Sequence, residues 1–474
     1  MPKQTLVMKF GGTSVGSVDA LMMATQIVKD ARAEYPRVVV ITSAMSGVTN
    51  LLLDSAALAS QGRVDSLPSA ESTLREKHFT AADALITDEK LREATKQEIN
   101  ALIFSLVDLC KAIAVLGEVS PRVMDTVASI GERMSVRLLG AVFESAEVNA
   151  KAIESTEFIV TNAHFQHAHP DFKVTTEKTR QLLNPLLDQG IVPVITGFIG
   201  ATPEGVITTL GRGGSDYSAA IIGSVLPADD VWIWTDVDGV MTTDPRIVKD
   251  AKTLPEITYS EIAELAYYGA KVIHPKTIRP VVDAGIGLRI CNTFNPSHPG
   301  TRLIANVPSD LQARNGKVVK AVTAIRDQRL VTIEGRGMLG VPGVAARAFG
   351  AVASTRTSVP LITQASSEQS ICFAVPSEAA VSVINALQAV FADEIEDEDI
   401  DRVWMTENVS IITVVGVGMR HTPGVAGQVF SQLGNNNANV LAIAQGSSEV
   451  SISMVVAAAD TELAVRSLHE LIVK

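Results

Sequence analysis

Residues Gly211 to Asp216 read GRGGSD, and this short loop organises the reading of the whole chain. Three glycines within four positions let the backbone turn sharply and present its N–H groups to an anion. Arg212, Ser215 and Asp216 add one cation, one hydroxyl and one carboxylate. The residues that follow, Tyr217 to Val225 (YSAAIIGSV), are small and apolar and predict a helix, so the loop sits at a helix N-terminus and its positive partial charge. Just upstream, Val192 to Phe198 (VPVITGF) predicts a strand. A glycine turn into a helix also occurs for purely structural reasons, so the stretches around it carry weight.

At the N-terminus, Leu6 to Phe10 is an apolar strand interrupted by Lys9, and it leads into GGTSVGS at Gly11 to Ser17. Ser17 and Val18 stand where a P-loop requires Lys and then Ser or Thr, so this is not a Walker A sequence. Lys9 is either a strand-end lysine reaching solvent or a cation held beside Gly11 and Gly12. Val18 to Arg32 has helical spacing, and Arg37 to Thr42 (RVVVIT) is a β-branched run suited to a parallel strand buried on both faces. Strand, helix, strand gives a right-handed crossover. Ser43 to Asn50 (SAMSGVTN) then forms a hydroxyl-rich loop at a strand C-terminus, where open α/β sheets bind ligands. Ser69 to Gly117 reads as a long helical excursion. In the helix Met124 to Leu139, Glu132 lies among Ala128, Ile130 and Met134; such a carboxylate either reaches water or meets a cation such as a substrate ammonium. Val231 to Thr235 is a strand entering DVDGVMTTDPR, Asp236 to Arg246. Its acids are turn caps or, with Arg246, part of a site for a nucleotide and its magnesium ion. Gly269 to Pro275 (GAKVIHP) supplies Lys271.

At 474 residues the chain predicts two to four domains. The net charge of −12 argues against nucleic acid as a partner. Three isolated cysteines without CxxC spacing predict free thiols in a reducing compartment. No signal-peptide pattern is seen, and the apolar stretch Ala101 to Gly117 reads as too short and too charged to span a bilayer. A cytoplasmic enzyme with no membrane partner is the expectation. His164, His167 and His169 lack a cysteine or carboxylate at ligand spacing and read as a solvated loop, leaving no expected metal ligand in the protein.

Taken in order, KFGGTSVGS, SAMSGVTN, SIGERMS, GRGGSDYSAA, WTDVDGVMTTDPR and YGAKVIHP resemble the aspartate kinases of the amino-acid kinase family over nearly the whole chain. The resemblance implies transfer of the ATP γ-phosphoryl group to the side-chain carboxylate of L-aspartate. It also implies a three-layer α/β/α sandwich with a mostly parallel sheet over residues 1–300. Lys9 would neutralise the transferring group, with Arg212 and Asp216 completing the catalytic set. Gly11, Gly12 and the backbone of Gly213, Gly214 and Ser215 would cradle phosphates. Ser43 and Thr49 would lie by the aspartate side chain, Arg212 would hold its α-carboxylate, and Glu132 with Asp216 would receive its ammonium. Thr235, Asp236, Arg246 and Lys271 would line the nucleotide site. Met241 stands where the family commonly has Tyr near the adenine. Magnesium would be held mainly by the nucleotide phosphates.

After residues 301–316, expected to be a linker, the character changes. Gly335 to Gly340 matches GxGxxG, but an internal repeat defeats a dinucleotide reading. At a constant offset of 81, Gly335, Gly337, Met338, Pro342 and Gly343 recur as Gly416, Gly418, Met419, Pro423 and Gly424, and Gln364 recurs as Gln445. Each unit reads strand, helix, strand, strand, helix, with Lys317 to Arg326 and Asp401 to Thr406 as extra strands open to exchange. The units, 317–400 and 401–474, resemble paired ferredoxin-like ACT domains, which bind amino acids and often assemble a homodimer. ITQASSE and AIAQGSSE are most similar to the threonine-responsive branch, implying effector contacts for Gln364 and Gln445, with threonine favoured and lysine next. Alternatively both glutamines are structural strand-end amides. The chain is expected to be monofunctional, without a following homoserine dehydrogenase. The acidic run Asp393 to Asp401 reads as a solvated connector. Two competing functions stay open: a kinase for another small carboxylate, and a catalytically idle amino-acid sensor.

Overall fold

The structure, a computed structural model, describes residues 4–268, 273, 275–305, 318–338, 340–364, 369–419, 421–445 and 450–473. Lys271, most of the expected linker, and the residues after Gln364 and Gln445 in their two motifs lie outside these. The chain forms two compact units: Met1–Val240, Pro255–Tyr259 and Ile273–Ala305 make one; Met241–Leu254, Ser260–Val272 and Asn306–Lys474 make the other.

In the first unit, strands β1 (Thr5–Phe10), β2 (Arg37–Thr42), β3 (Ala150–Ile153) and β4 (Val192–Thr196) are followed by a small hairpin of β5 (Ile199–Ala201) and β6 (Ile207–Thr209). Strands β7 (Asp230–Thr235), β8 (Glu256–Thr258), β9 (Gly287–Asn292) and β10 (Thr301–Ile304) complete the main sheet. Its order is β3-β4-β2-β1-β7-β9-β10-β8, parallel throughout except between β9 and β10. Every residue of β1 is buried, as a central strand covered on both faces requires. Strand alternation sends Leu6, Met8 and Phe10 into a core shared with α1 (Val18–Glu34), α2 (Val48–Ala59), α3 (Leu67–Leu85), α4 (Glu89–Leu116) and α5 (Pro121–Ser145). Lys9 therefore emerges on the opposite face. There α6 (Phe172–Asp188) and α7 (Gly214–Val225) pack, with α7 against β1.

The expectation for Ala101 to Gly117 needs correction, because α4 begins at Glu89 and runs for 28 residues. Among the described residues it is the one helix long and apolar enough to cross a membrane by length and composition. Its stripe of Ile99, Leu102, Ile103, Leu106, Cys110 and Ile113 nevertheless joins the core beside α3 and α5, at the spacing of an amphipathic helix.

The second unit is built on one antiparallel sheet. Strand β11 (Ala321–Glu334) is followed by β12 (Leu361–Gln364), β13 (Ser370–Pro376), β14 (Arg402–Met405), β15 (Val409–Val415), β16 (Ala442–Ala444) and β17 (Ser451–Ala457). The offset of 81 carries β13 onto β17 and helix Val344–Ser354 onto Val425–Asn435 without slippage. The latter half of β11 pairs with β13 and β14, while its first half, Ala321 to Ile325, pairs with β15. A register shift between Ile325 and Gln328, with Asp327 at φ 57°, divides the halves. One strand thus serves both repeats. The acidic run is more than a connector: Ala392–Glu396 is helical, Glu394 pairs with Arg347, and Asp399 accepts from Gly337 N–H at 3.0 Å.

Candidate active site

The C-terminal ends of β1 and β2, the loop after β2, one face of α5 and the N-terminus of α7 enclose a cavity of about 770 Å³. Its walls bring together Lys9, Gly12, Ser43, Thr49, Glu132, Arg212, Gly213, Gly214, Ser215 and Asp216, although the sequence scatters them over more than 200 positions. Neither α2 nor α7 carries a side-chain cap: Gly47 and Gly213 occupy those positions with φ 81° and 72°. Both first turns line the cavity, so two uncapped helix N-termini lend it positive potential. Gly12 brings the loop after β1 close to the loop after β2, for a Cβ there would lie 2.9 Å from the Ala44 carbonyl oxygen.

Lys9 is 9% exposed and its Nζ lies 2.6 Å from Asp216 Oδ1. Burial at low dielectric strengthens such a pair, and Asp216 itself stands in the first turn of α7. Glu132 is 3% exposed. Its Oε1 accepts from Ala44 N–H at 3.3 Å and its Oε2 has no hydrogen-bond partner. Burial pushes its carboxyl up to about 8, against the opposing pull of the backbone hydrogen bonds and of Lys9. Burial therefore favours the protonated carboxyl. Arg133, its neighbour, turns away and binds Glu154 at 2.9 Å. Arg212 is exposed.

Of the residues expected at the nucleotide, Lys9, Gly12, Gly213 and Gly214 line this cavity, whereas Gly11, Thr235, Asp236, Met241 and Arg246 do not. Gly11 N–H donates to the Trp234 carbonyl at 3.0 Å, and Ser14 bridges Trp234 O and Thr293, tying the loop after β1 to the ends of β7 and β9. Thr235 closes β7 and donates to Asp236 at 3.2 Å. Met241 and Arg246 belong to the second unit. There Thr253 donates to Met241 Sδ at 3.4 Å, and Arg246, with its side chain 80% exposed, pairs with Asp244 at 2.6 Å. Gln364 is exposed and lines a pocket of about 380 Å³ with Met338, Val344 and Ile371; Gln445 is exposed just past β16. Among the described residues no group of three or more His, Cys, Asp or Glu is placed to hold a metal ion.

Sequence reasoning missed Asp125, Gln166, His167 and Thr209, all on the cavity wall. Asp125 lies seven residues before Glu132, two helical turns and hence the same face of α5, which was the available signal.

Residues 4–292 match the amino acid kinase family, and residues 331–391 and 412–471 match the ACT domain. The chain is 38% identical over 467 residues to a bifunctional aspartokinase/homoserine dehydrogenase of Zea mays, covering 98% of this chain and 50% of that protein. It thus spans about half the length of the bifunctional relatives it matches. It is 34% identical to the lysine-sensitive aspartokinase 3 of Escherichia coli, over 98% of each chain. The crystal structure of E. coli aspartokinase III with aspartate and ADP superposes with a TM-score of 0.80 at 32% identity, covering 99% of this chain and 100% of that one. Its complex with lysine and aspartate gives 0.78 at the same identity and coverage. Family matches, identity over the whole chain and the shared fold together show that the chain belongs to the aspartokinases, an amino acid kinase domain joined to tandem ACT domains.

Proposed function

We propose that this chain phosphorylates the side-chain carboxylate of L-aspartate with ATP, giving 4-phospho-L-aspartate, the entry to lysine, threonine and methionine synthesis. The observation that carries the reading is that Lys9, Arg212 and the unpartnered Glu132 oxygen share one cavity. Aspartate and ADP bound together to the E. coli relative support it. The attacking carboxylate has a reference pKa near ~3.9 and is already ionised, so no general base is needed. The obstacle is repulsion between that carboxylate and a triphosphate. Lys9 and the N-termini of α2 and α7 offset it as charge shifts in the transition state. Arg212 holds the α-carboxylate, and Ser43 and Thr49 orient the reacting one. The substrate ammonium meets Glu132, which gives up its proton on binding, while Asp216 keeps Lys9 in place and completes the ammonium's surroundings.

Gly12, Gly213 and Ser215 offer amides to phosphate oxygens, while the Gly11 and Gly214 amides are already spent on the Trp234 and Gly211 carbonyls and shape the two loops instead; Thr235, Asp236, Met241, Arg246 and Lys271 serve the nucleotide. Magnesium bound with the nucleotide would supply further charge neutralisation beside Lys9. The ACT repeats bind a feedback amino acid at Gln364 and Gln445, threonine first and lysine next; the lysine complex of the relative supports an amino-acid effector. We place the enzyme in the cytoplasm as a homodimer. A hydroxamate assay with ATP tests the reading: L-aspartate is turned over, while L-glutamate and N-acetyl-L-aspartate are poor substrates. Equal turnover of the N-acetyl compound contradicts the ammonium site.

A further inference from the structure

We infer that Asp125 is a positioning residue for the substrate site, setting Arg212 by bracing the end of β6 that leads into it and the Gln166 loop packed beside it. Asp125 is 1% exposed. Its carboxylate accepts from Gln166 N–H at 3.1 Å (Oδ1) and 2.9 Å (Oδ2), from Thr209 N–H at 2.9 Å, and from the Thr209 hydroxyl at 2.8 Å. These donors are neutral and come from one loop, at Gln166, and from the end of β6, at Thr209, so the carboxylate acts as a clamp rather than as half of an ion pair.

The clamp holds strained backbone. Gln166 has φ 69°, a left-handed conformation that a non-glycine residue adopts at a cost. Its carbonyl and the His167 ring press on Gly211, where a Cβ would lie 3.0 Å from Gln166 O and 2.8 Å from His167 Nδ1. Gly211 itself has φ 81°. Thr209 O accepts from Ala168 N–H at 2.9 Å, which joins the same two segments. Arg212 is the next residue after this wedge. The backbone entering Arg212 is thus held at Thr209 and packed at Gly211 against the Gln166–His167 turn, and both supports end on one buried carboxylate. Asp125 and Arg212 line the same cavity, yet Asp125 spends its acceptor capacity on these two segments, which separates its role from that of Glu132.

This inference rests on the proposed role of Arg212 toward the α-carboxylate, and the experiment separates the two. Asp125→Asn keeps the size of the side chain but sets an NH₂ group against an N–H or O–H donor. We expect its KM for aspartate to rise at least about tenfold with the KM for ATP within about twofold, a selective loss of substrate binding. Thr209→Val, which removes only the hydroxyl donor, shifts the aspartate KM in the same direction by less. In the Arg212→Lys background, Asp125→Asn adds little further, because coupled residues are non-additive. An aspartate KM unchanged by Arg212→Lys overturns both the role of Arg212 and this inference. A normal Arg212→Lys response combined with a full, additive Asp125→Asn effect, or with losses in both KM values that track a lowered Tm, overturns this inference alone.

Discussion

The cavity of the first unit and the strand ends of the second handle polar groups in opposite ways. Lys9, Glu132 and Asp125 are at most 9% exposed, each placed by a strand or helix and answered by a specific neighbour or, for Glu132 Oε2, by none. Gln364 and Gln445 are exposed amides at strand ends. Burial magnifies charge, so groups in the cavity can stabilise a transition state. Exposed amides exchange one hydrogen-bond partner for another at little net gain, about 0.5–1.5 kcal/mol, and suit reversible sensing of a small molecule.

The largest expected effect tests the buried side. Lys9→Met removes the cation proposed to neutralise the transferring group and should lower kcat by about 10²- to 10³-fold, with aspartate binding retained in calorimetry. A loss below tenfold would place Lys9 outside the chemistry. Arg212→Ala should come next, raising the aspartate KM by about 10²-fold, as loss of a charge-assisted pair does, while ATP binding measured by nucleotide fluorescence stays the same.

Glu132 sharpens the contrast through pH. Because burial raises its carboxyl to about 8, binding an ammonium requires that proton to leave. Affinity for aspartate should therefore strengthen as pH rises from 6 to 8, and Glu132→Gln should flatten that dependence. The sign for stability is the reverse. Between the ordinary carboxyl range and about 8 the folded protein holds a proton that the unfolded chain has released, so Glu132 costs stability as pH rises through that window. The Tm of Glu132→Gln relative to the parent should be higher at pH 8.5 than at pH 5. The smallest effect on turnover belongs to the exposed side: Gln364→Ala and Gln445→Ala should each leave uninhibited activity within about twofold while relieving inhibition by threonine or lysine. Unaltered inhibition in both would remove the amides from the effector site.

Much of this arrangement was legible in the chain. Strand runs ending in glycine and hydroxyl loops mark where a parallel sheet opens to ligands, and Lys9, the loop Ser43 to Asn50 and Arg212 are legible that way, whereas Ser43 and Thr49 individually rest on the family resemblance. The repeat was legible because related backbones place glycines at equivalent turns, as at Gly343 and Gly424. Asp125 was legible only through its spacing of seven from Glu132; its role was not, since its partners Gln166 and Thr209 lie 41 and 84 residues away. The exchange of strands was legible, since Lys317 to Arg326 and Asp401 to Thr406 stand outside their repeats in the sequence, and Ala321 to Ile325 pairs with β15 while β14 pairs with β11; that one continuous strand, β11, would serve both repeats was not, because a strand's sequence does not record its neighbours. The start of α4 escaped notice because its first turns are polar, and periodicity rather than composition sets where the helix begins.

The most direct test is a crystal structure with L-aspartate and a non-hydrolysable ATP analogue. The account predicts Lys9 Nζ against the γ-phosphoryl oxygens, Arg212 on the α-carboxylate and Glu132 Oε2 within hydrogen-bond distance of the ammonium, all in one cavity. Lys9 and Arg212 engaging ligands in separate cavities would contradict it.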